Sequence, residues 1–459
     1  MLIRGGRVVT SGGEQDADVL VVDGKITEVR PGIDAGANVI DATSLLVLPG
    51  VVDPHTHLLL DTGTARTADD FESGSLSAAA GGVTTYLDFA PQLPGQTFAQ
   101  ALAARLELID GRSYVDYGIH LNITSLAQGW ERELDALVDA GVTSAKVYTT
   151  YRDTIFYADD WTWLRLMERS GRAGLLVQVH AENDAIVVGK TQELLKRGKS
   201  ALAYHGASRP AFAEVEAVSR GLMFSRETGS PVYFVHLSTP RSVDLVTAAR
   251  GDEGIQAMAE TCPHYLVLDD SVYARSDAGR FVMTPPLRDR VNQSQLWTRL
   301  TGGAIHTVGS DHCGFAVADR EGIDDFSRVS PGVPGVETSL LLMYSVGVLD
   351  HRMNLRQLVR LLSTNPAKIF GLWPRKGDIQ PGFDADLVLF DPRPKGVLAA
   401  SELHSRAGFS PYEGLTVTGK VHTTICRGRV IYRDGAVIGD RGFGRFLKCR
   451  PFDPEIVPL

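Results

Sequence analysis

The stretch that decides the fold is residues 48–57, which read Leu-Pro-Gly-Val-Val-Asp-Pro-His-Thr-His. Its apolar first half is typical of a buried strand, and its second half carries two histidines separated by one residue. Because side chains alternate along an extended chain, His55 and His57 point the same way, as two ligands of one ion must. The stretch therefore predicts a strand that ends in a metal-binding pair.

Further apolar runs of strand length follow this stretch, and helical patterns lie in the gaps between them. With residues 48–52, the predicted strands are 83–89, 115–123, 144–149, 174–179, 231–235, 255–261 and 304–309. The predicted helices are 98–109, 131–140, 160–169, 212–227 and 294–300. This alternation predicts an α/β fold, and eight repeats favour a (β/α)8 TIM-type barrel over an open sheet.

The two ends of the chain differ from the middle. Short alternating or apolar runs between Gly and Asp turns occupy the first fifty residues and return after residue 375. Because termini often lie close together, both ends are predicted to build one small β-sandwich domain. The predicted division is 1–49 and 375–459 for the sandwich with a C-terminal tail, and 50–374 for the barrel.

Composition narrows the function classes. The 459 residues carry a net charge of -9 without a long basic run, which argues against nucleic acid or an anionic membrane as the main partner. Four scattered cysteines form no CxxC pair and fit reduced thiols. No apolar stretch has the length of a signal peptide core or a membrane span. We expect a cytoplasmic protein that acts on a small molecule.

Polar residues stand at the carboxyl ends of the predicted strands, where barrels place catalytic groups. Lys146 lies in the fourth strand, His180 ends the fifth, His236 ends the sixth and Asp311 ends the eighth. An isolated HxH pair is weak evidence, since most lone histidines beside strands are structural. Six candidates from the correct strand ends predict a site for zinc, or for manganese, cobalt or iron.

These features resemble the hydantoinase and dihydropyrimidinase branch of the amidohydrolase superfamily, which also contains allantoinases and dihydroorotases. The resemblance covers nearly the whole chain. Its carriers are residues 48–57, Lys146 with Tyr151, 179–183 (VHAEN), 235–238 (VHLS), 285–289 (PPLRD), 309–312 (GSDH), 411–414 (PYEG) and 442–447 (GFGRFL).

The resemblance implies a binuclear metal centre, most simply of zinc. In it His55, His57 and Asp311 hold one ion, His180 and His236 hold the other, and a carboxylated Lys146 bridges both. An unmodified lysine is cationic and would repel two dications. Its CO2 adduct, N6-carboxylysine, is instead an anionic oxygen donor.

The implied reaction is hydrolytic opening of a cyclic amide, a 5-substituted hydantoin or a dihydropyrimidine, to an N-carbamoyl amino acid. A hydroxide that bridges the two metals attacks the ring carbonyl. Asp311 is the expected general base, and it passes the proton to the departing ring nitrogen. The Tyr151 hydroxyl is expected to stabilise the oxyanion. Tyr151 also favours hydantoinases and dihydropyrimidinases over allantoinases.

The family holds its ring substrate through main-chain groups, which map onto Thr284 and onto the turn of Pro331 and Gly332. This chain differs from the family pattern at two of these positions. Thr284 replaces the usual serine, and Pro331 replaces an asparagine common in dihydropyrimidinases. Proline has no N–H, so only a carbonyl remains to contact substrate. The departure keeps an allantoinase as the alternative activity.

Other residues receive narrower predictions. An apolar lid for the ring substituent is expected from Leu60, Tyr148, Ile155 and Phe156, and a helix start near Asp69, Asp70 and Phe71. The Cys313 thiol lacks a catalytic partner. The remaining histidines lack a complete ligand set: His120, His205, His264, His306, His312, His351, His404 and His422.

Two further classes remain as alternatives. A non-catalytic interaction protein on the same fold would have lost metal ligands, and all six positions are filled here. A mononuclear deaminase would not need Lys146. A homotetramer or dimer is expected from the family, and residues 443–452 are one candidate for the contact between subunits.

Overall fold

A computed structural model describes residues 1–34 and 38–457 of the chain. The chain opens with five strands whose apolar side chains alternate with polar ones or form continuous buried runs. They are Leu2–Val9 (β1), Glu14–Val22 (β2), Lys25–Arg30 (β3), Val39–Asp41 (β4) and Leu46–Pro49 (β5). β1 pairs antiparallel with β2 and parallel with β4 and β5, so the sheet is mixed.

Eight parallel strands follow and form a nearly closed barrel, which confirms the predicted fold class. They are Val51–Thr56 (β6), Val83–Pro91 (β7), Asp116–Asn122 (β8), Ser144–Tyr148 (β9), Leu176–His180 (β10), Val232–Phe234 (β11), Ala257–Thr261 (β12) and Thr307–Val308 (β13). A parallel bridge between Thr56 and His312 brings the first and last strands together. The strand ends that carry the predicted ligands therefore converge on one face.

Helices cover the outside of the barrel. They are Phe71–Ala80 (α1), Phe98–Ile109 (α2), Trp130–Asp139 (α3), Asp160–Ala173 (α4), Asp184–Lys196 (α5), His205–Ser208 (α6), Ala211–Thr228 (α7), Pro240–Glu253 (α8), Pro263–Val267 (α9), Arg290–Thr301 (α10), Ser339–Leu342 (α11), Leu355–Val359 (α12) and Asn365–Ile369 (α13). Short π-helical turns, Met343–Val348 and Arg360–Thr364, continue α11 and α12.

All five predicted helices are present, as α2, α3, α4, α7 and α10. The bounds of α2 agree with the prediction because Thr97 and Gln100 form a capping box that fixes its start. α10 begins four residues before its predicted start, after Asp289, which caps it by accepting from the Asn292 N–H. Its first turn is polar, so hydrophobic periodicity alone does not reveal it.

The chain returns to the first sheet with Leu387–Val397 (β14), Thr416–Cys426 (β15), Arg429–Arg433 (β16) and Ala436–Val437 (β17). The strand order is β17-β16-β15-β14-β5-β1-β2-β3, with β4 beside β1. β14 pairs antiparallel with β5, so both ends of the chain share one sheet. The exact domain division at residues 49/50 and 374/375 stays a prediction.

A buried ion cluster connects this sheet to the barrel. The Lys376 Nζ lies 2.8 Å from Asp116 at the start of β8, 2.6 Å from Asp386 and 3.1 Å from Asp384. Burial alone would lower the pKa of Lys376, but the surrounding carboxylates, Asp386 first, raise it well above its usual value. The amine therefore stays charged and holds three carboxylates from two parts of the fold.

The C-terminal segment packs along the barrel of its own chain. Backbone hydrogen bonds join Gly444 N to Ser113 O, Leu447 N to Tyr117 O and Cys449 N to Gly141 O. A Cβ on Gly444 would lie 1.9 Å from the carbonyl oxygen of Val115, so this close approach requires glycine. Within residues 1–34 and 38–457, no helix is long and apolar enough to cross a membrane.

Candidate active site

The cavity at the carboxyl end of the barrel has a volume of about 830 Å³. Five of the six predicted metal ligands line it: His57, Lys146, His180, His236 and Asp311. The sixth, His55, lies directly behind them with no exposed surface. The fold thus brings all six predicted side chains to one place.

The side chains of His55, His57 and Asp311 form the tightest part of this group. The Nε2 atoms of the two imidazoles lie 3.2 Å apart. Asp311 Oδ1 lies 3.2 Å from His55 Nε2 and 3.4 Å from His57 Nε2. The two histidines project from the end of β6 and Asp311 follows β13, so the closing strands of the barrel create this trio.

Lys146 projects from β9 into the same space and is fully buried. Its Nζ lies 2.7 Å from His55 Nε2 and over the rings of Phe89 and Tyr148. Burial lowers the pKa of Lys146 to about 8, although the charges of Asp311 and Glu260 act in the opposite direction. A fraction of the side chain is therefore neutral amine near neutral pH.

His180 and His236 face each other across the cavity at the ends of β10 and β11. Their ring centroids are 4.5 Å apart, and the His236 ring stacks on His55 at 5.5 Å. His236 and Asp311 have positive φ angles of 39° and 48°. Such conformations are unusual for residues other than glycine and turn both side chains into the cavity.

Two buried carboxylates orient the imidazoles. His55 Nδ1 lies 2.7 Å from Glu260 Oε1, and His180 Nε2 lies 2.8 Å from Glu182 Oε2. Each ring is held by a carboxylate at one nitrogen, which leaves the other nitrogen to bind an ion, the usual arrangement of metal-binding histidines. The sequence analysis assigned no role to Glu260. Its position at the end of β12, between two ligand-bearing strands, is the signal that reveals it.

The charges of the group suit a bound cation. Burial is the largest cause that lowers the pKa of all four histidines, strongly for His55 and His236, so their rings are neutral. Burial acts to raise the pKa of Asp311, but neighbouring His55 and His57 keep it well below its usual value. Neutral imidazole and ionised carboxylate are the forms that bind metal.

Unsatisfied polar atoms give an independent test of metal binding. Among the described residues, His57 Nδ1 and His236 Nδ1 are buried without a hydrogen-bond partner. The facing Nε2 atoms of His55 and His57 are two like groups 3.2 Å apart, with a carboxylate oxygen beside them. An ion between the two Nε2 atoms would satisfy them and the carboxylate oxygen, although it would not reach His57 Nδ1 on the other side of that ring. The residues present therefore fit divalent metal.

Tyr151 lies beside the histidine pair. Its ring is 5.4 Å from His180, its hydroxyl hydrogen-bonds Thr284 Oγ1, and its backbone has a positive φ of 74°. The Arg209 guanidinium stands 5.1 Å from the Tyr151 ring and 2.6 Å from Glu182. Arg209, which no sequence pattern singled out, thus contacts both Tyr151 and the carboxylate that orients His180.

The turn of Pro331 and Gly332 forms the opposite wall with Thr284. The Gly332 N–H donates to Val282 O at 3.0 Å, and its carbonyl accepts from the buried Arg320. Its φ of 142°, and the 2.4 Å separation between an added Cβ and Cys313 O, require glycine. Both main-chain groups of Gly332 are therefore engaged, and the Pro331 carbonyl is the group of this turn left to meet a substrate.

An apolar cluster covers one side of the cavity. Leu60, Tyr148 and Phe156 pack with Cys313 and Phe315, and Ile155 contacts them from the rim. The residues expected to form a lid thus lie together. Asp70 caps α1 through the N–H groups of Glu72 and Ser73, which confirms the predicted helix start.

The histidines set aside by the sequence analysis have mostly structural contacts. His120 bonds Ser144 and the Pro54 carbonyl, His205 donates to Met283 O, and His312 pairs with Asp69 at 3.1 Å. His264 lies in a second group of three potential metal ligands, with Cys262 and Asp311, and its predicted lack of a ligand role stays a prediction.

Comparisons with known proteins agree with this geometry. Residues 46–431 match the profile of the amidohydrolase family. The chain is 39% identical to a D-hydantoinase of Geobacillus stearothermophilus, over 97% of this chain and 96% of that protein, and 38% identical to a D-phenylhydantoinase of Escherichia coli over the full length of both. A crystal structure of a dihydropyrimidinase from Brevibacillus agri superposes with a TM-score of 0.96 at 36% identity, covering 98% of this chain and 99% of that one.

Proposed function

This chain belongs to the amidohydrolase family, and we propose that it opens cyclic amides such as 5-substituted hydantoins or dihydropyrimidines by metal-dependent hydrolysis. The observation that carries the proposal is the convergence of four histidines, Asp311 and Lys146 on one cavity beside Tyr151. A non-catalytic relative would not need to keep this complete group. The products would be N-carbamoyl amino acids.

Two divalent ions are proposed for the site, with zinc first and manganese, cobalt or iron as alternatives. His55, His57 and Asp311 would hold one ion, and His180 and His236 the other. When bound, such ions make water a competent nucleophile near neutral pH and polarise the carbonyl group under attack. Glu260 and Glu182 keep His55 and His180 turned toward them.

Lys146 is proposed to carry a carboxyl group derived from CO2. The neutral amine attacks CO2: an N–C bond forms, one C–O π bond of CO2 breaks and one proton passes to solvent, so the amine becomes an anionic oxygen donor. A pKa of about 8 supports this, because it leaves free amine at neutral pH. Its Nζ lies 2.7 Å from His55 Nε2 and over the ring of Tyr148, which stacks on His180, and this supports a bridging role.

Asp311 is proposed to move the proton. It is ionised, faces the cavity, and can accept a proton from the attacking water as the new C–O bond forms. It then delivers this proton to the ring nitrogen as the C–N bond breaks. Tyr151 is proposed to donate a hydrogen bond to the carbonyl oxygen as negative charge develops there. Burial raises the pKa of Tyr151 to about 12, so the hydroxyl keeps its proton.

The ring is proposed to lie against Thr284 and the Pro331–Gly332 turn. An N–H of the ureide would donate to the Pro331 carbonyl, since the Gly332 groups are already bonded. The ring substituent would then face Leu60, Tyr148, Phe156 and Phe315, a wall that favours aromatic or alkyl groups. The polar ureido substituent of allantoin fits this wall less well, so allantoinase activity is the second candidate.

The test is a side-by-side assay of the zinc- and manganese-loaded chain on dihydrouracil, 5-phenylhydantoin, both enantiomers of 5-methylhydantoin, and allantoin. We expect ring opening of the hydantoins, fastest for 5-phenylhydantoin. Opening of allantoin alone would support the second candidate. Inactivity on all of them, with metal bound, would contradict the proposal and favour a non-catalytic role. Cytoplasmic location and assembly into a dimer or tetramer stay predictions.

A further inference from the structure

A second group of metal-ligating side chains lies directly behind the cavity. Cys262 follows β12, His264 begins the next helical turn in α9, and both are buried, with exposures of 0% and 1%. Their ligand atoms and a carboxylate oxygen of Asp311 all lie within 4.8 Å of one another. Asp311 therefore belongs to two groups at once, one with His55 and His57 and one with Cys262 and His264.

His264 supplies the observation that points to a ligand. Among the described residues, neither its Nδ1 nor its Nε2 has a hydrogen-bond partner, although both atoms are buried. A buried imidazole that has no hydrogen-bond partner gives up its contacts with water and gains none in return. The cost in folding free energy is about 1–3 kcal/mol for each unsatisfied group. A bound ion would satisfy one of these nitrogens directly.

The chemistry of the group selects the kind of ion. A thiolate, an imidazole and a carboxylate together suit a thiophilic divalent ion such as zinc or cadmium, whereas magnesium and calcium prefer oxygen ligands. Burial first, and then the carboxylates Glu260, Asp311 and Asp53, raise the pKa of the Cys262 thiol well above its usual value, so without an ion the thiol keeps its proton. Coordination removes the thiol proton: a sulfur–metal bond forms and one proton passes to solvent.

Asp311 connects this group to the cavity. It lines the cavity with 15% of its side chain exposed, whereas Cys262 and His264 are buried. Binding requires the three side chains to move toward a common ion, because zinc takes bond lengths of about 2.0–2.3 Å.

We propose that Cys262, His264 and Asp311 form an inhibitory site for a thiophilic divalent ion, separate from the catalytic ions. Occupation fixes the Asp311 carboxylate and prevents it from moving a proton, so excess zinc or cadmium lowers kcat. The inhibition rests on the proposed role of Asp311 in catalysis. The binding itself does not, because it depends only on the three side chains.

The experiment titrates the metal-loaded enzyme with cadmium chloride and follows the ultraviolet absorption of cadmium–thiolate bonds, bound cadmium by equilibrium dialysis, and kcat. Cadmium that exchanges into the catalytic site can meet the Cys313 thiol of the cavity wall, and the Cys313→Ser variant separates that absorption from the absorption of a Cys262 site. We expect one thiolate-bound cadmium per chain, with loss of kcat at the same cadmium concentration. Cys262→Ser and His264→Gln should each weaken this binding by on the order of 10- to 100-fold.

Two other thiol variants serve as controls. Cys449→Ser removes a buried thiol in the C-terminal segment, away from the cavity, and should bind cadmium as the wild type does. Cys313→Ser removes the thiol on the cavity wall. Loss of binding in Cys313→Ser but not in Cys262→Ser would overturn the proposal, as would the absence of thiolate-bound cadmium. If no ring substrate is opened, the absorption and dialysis still decide whether the site exists.

Discussion

Individual residues in the cavity depend on buried partners that the reaction itself does not touch. Glu260 accepts from His55 and from the backbone N–H of His236, so one carboxylate fixes residues of both metal groups. Burial raises the pKa of Glu260 to about 7, against the effect of its hydrogen-bond donors. Bound cations would favour its ionised form, so the metals and Glu260 stabilise each other.

Lys146 is the residue whose replacement tests the bridging role. In Lys146→Ala we expect loss of both bound metal and activity, because the anionic oxygen donor is gone. Acetate or propionate should restore part of the activity by supplying a carboxylate to the vacated space. Metal content and turnover are measured together, with the exposed Lys190→Ala as control. Full activity in Lys146→Ala would exclude the bridge.

Arg209 is expected to position Tyr151 and Glu182 without touching the substrate. Arg209→Met should lower kcat by on the order of 10- to 100-fold, with a smaller change in KM, because two supporting contacts are lost together. Arg209→Lys keeps the charge near Glu182 and should recover part of the loss.

Arg152→Met is the matched control for Arg209. Arg152 is also close to Tyr151 in the chain, but its side chain is 61% exposed and pairs with Asp184. Kinetic constants and thermal unfolding of the three variants are compared. An equal loss of kcat in Arg152→Met, or a loss in Arg209→Met explained wholly by unfolding, would contradict a positioning role.

At the scale of secondary-structure elements, the Asp69 side chain joins the start of α1 to two distant parts of the chain. Asp69 pairs with His312 after β13, and its carboxylate accepts from Ser405 Oγ, from Arg406 N and from Ser73 Oγ within α1. These contacts hold the loop before α1, which carries Leu60 of the apolar wall. The Asp69 carboxylate therefore anchors the end of this loop that adjoins α1.

This anchor predicts a pH dependence of stability. Burial would raise the pKa of Asp69, but the hydrogen bond and charge of His312 and the other donors lower it from 3.8 to about 2. A depressed pKa gives a stabilisation that is present above about 4 and is lost as the pH falls through about 2. The difference corresponds to about 2 kcal/mol.

We therefore expect Asp69→Asn to be less stable than wild type by about 2 kcal/mol at pH 6, and the difference to shrink toward zero near pH 2. Urea unfolding across this pH range measures it. Asp61→Asn, which removes the exposed partner of Arg66, should change stability by less than about 1 kcal/mol at every pH. A stability difference between wild type and Asp69→Asn that did not change with pH would contradict the lowered pKa of Asp69.

For the whole molecule, the junction between sheet and barrel depends on Lys376. Its amine is surrounded by Asp116, Asp384 and Asp386, and Arg427 also reaches Asp116. Asp116 belongs to the barrel, whereas Asp384 and Asp386 lead into β14. The charges are balanced only while both parts of the fold are in place.

Lys376→Met should destabilise the protein by about 3–5 kcal/mol, because it leaves buried carboxylates without their cation. Lys25→Met is a close control, since Lys25 pairs with the same Asp384 but is 47% exposed, and it should cost at most about 1 kcal/mol. Chemical denaturation gives both values. Similar losses in the two variants would show that burial of Lys376 adds nothing to the junction.

Local pattern was enough to predict the barrel and its ligands. Five of the six candidate ligands follow or end an apolar run and Lys146 lies within one, and in a βα barrel such strand ends meet on one face. His55 and His57 show the rule at its simplest, because alternation along β6 already turns both rings the same way. The predicted helix bounds differ most at the start of α10, where a polar first turn hides the start, and at the end of α4, which continues four residues past the predicted end.

The amino-acid sequence by itself determined the eight repeats, the sheet shared by the two ends and the six candidate ligands, since these depend on periodicity and on residue type along the strands. Only the tertiary structure decided which partners stand behind them: Glu260 beside His55, Arg209 beside Tyr151, and Cys262 with His264 beside Asp311. Such contacts join residues from separate strands and loops. Their distances depend on how the whole barrel closes, which no local pattern in the chain records.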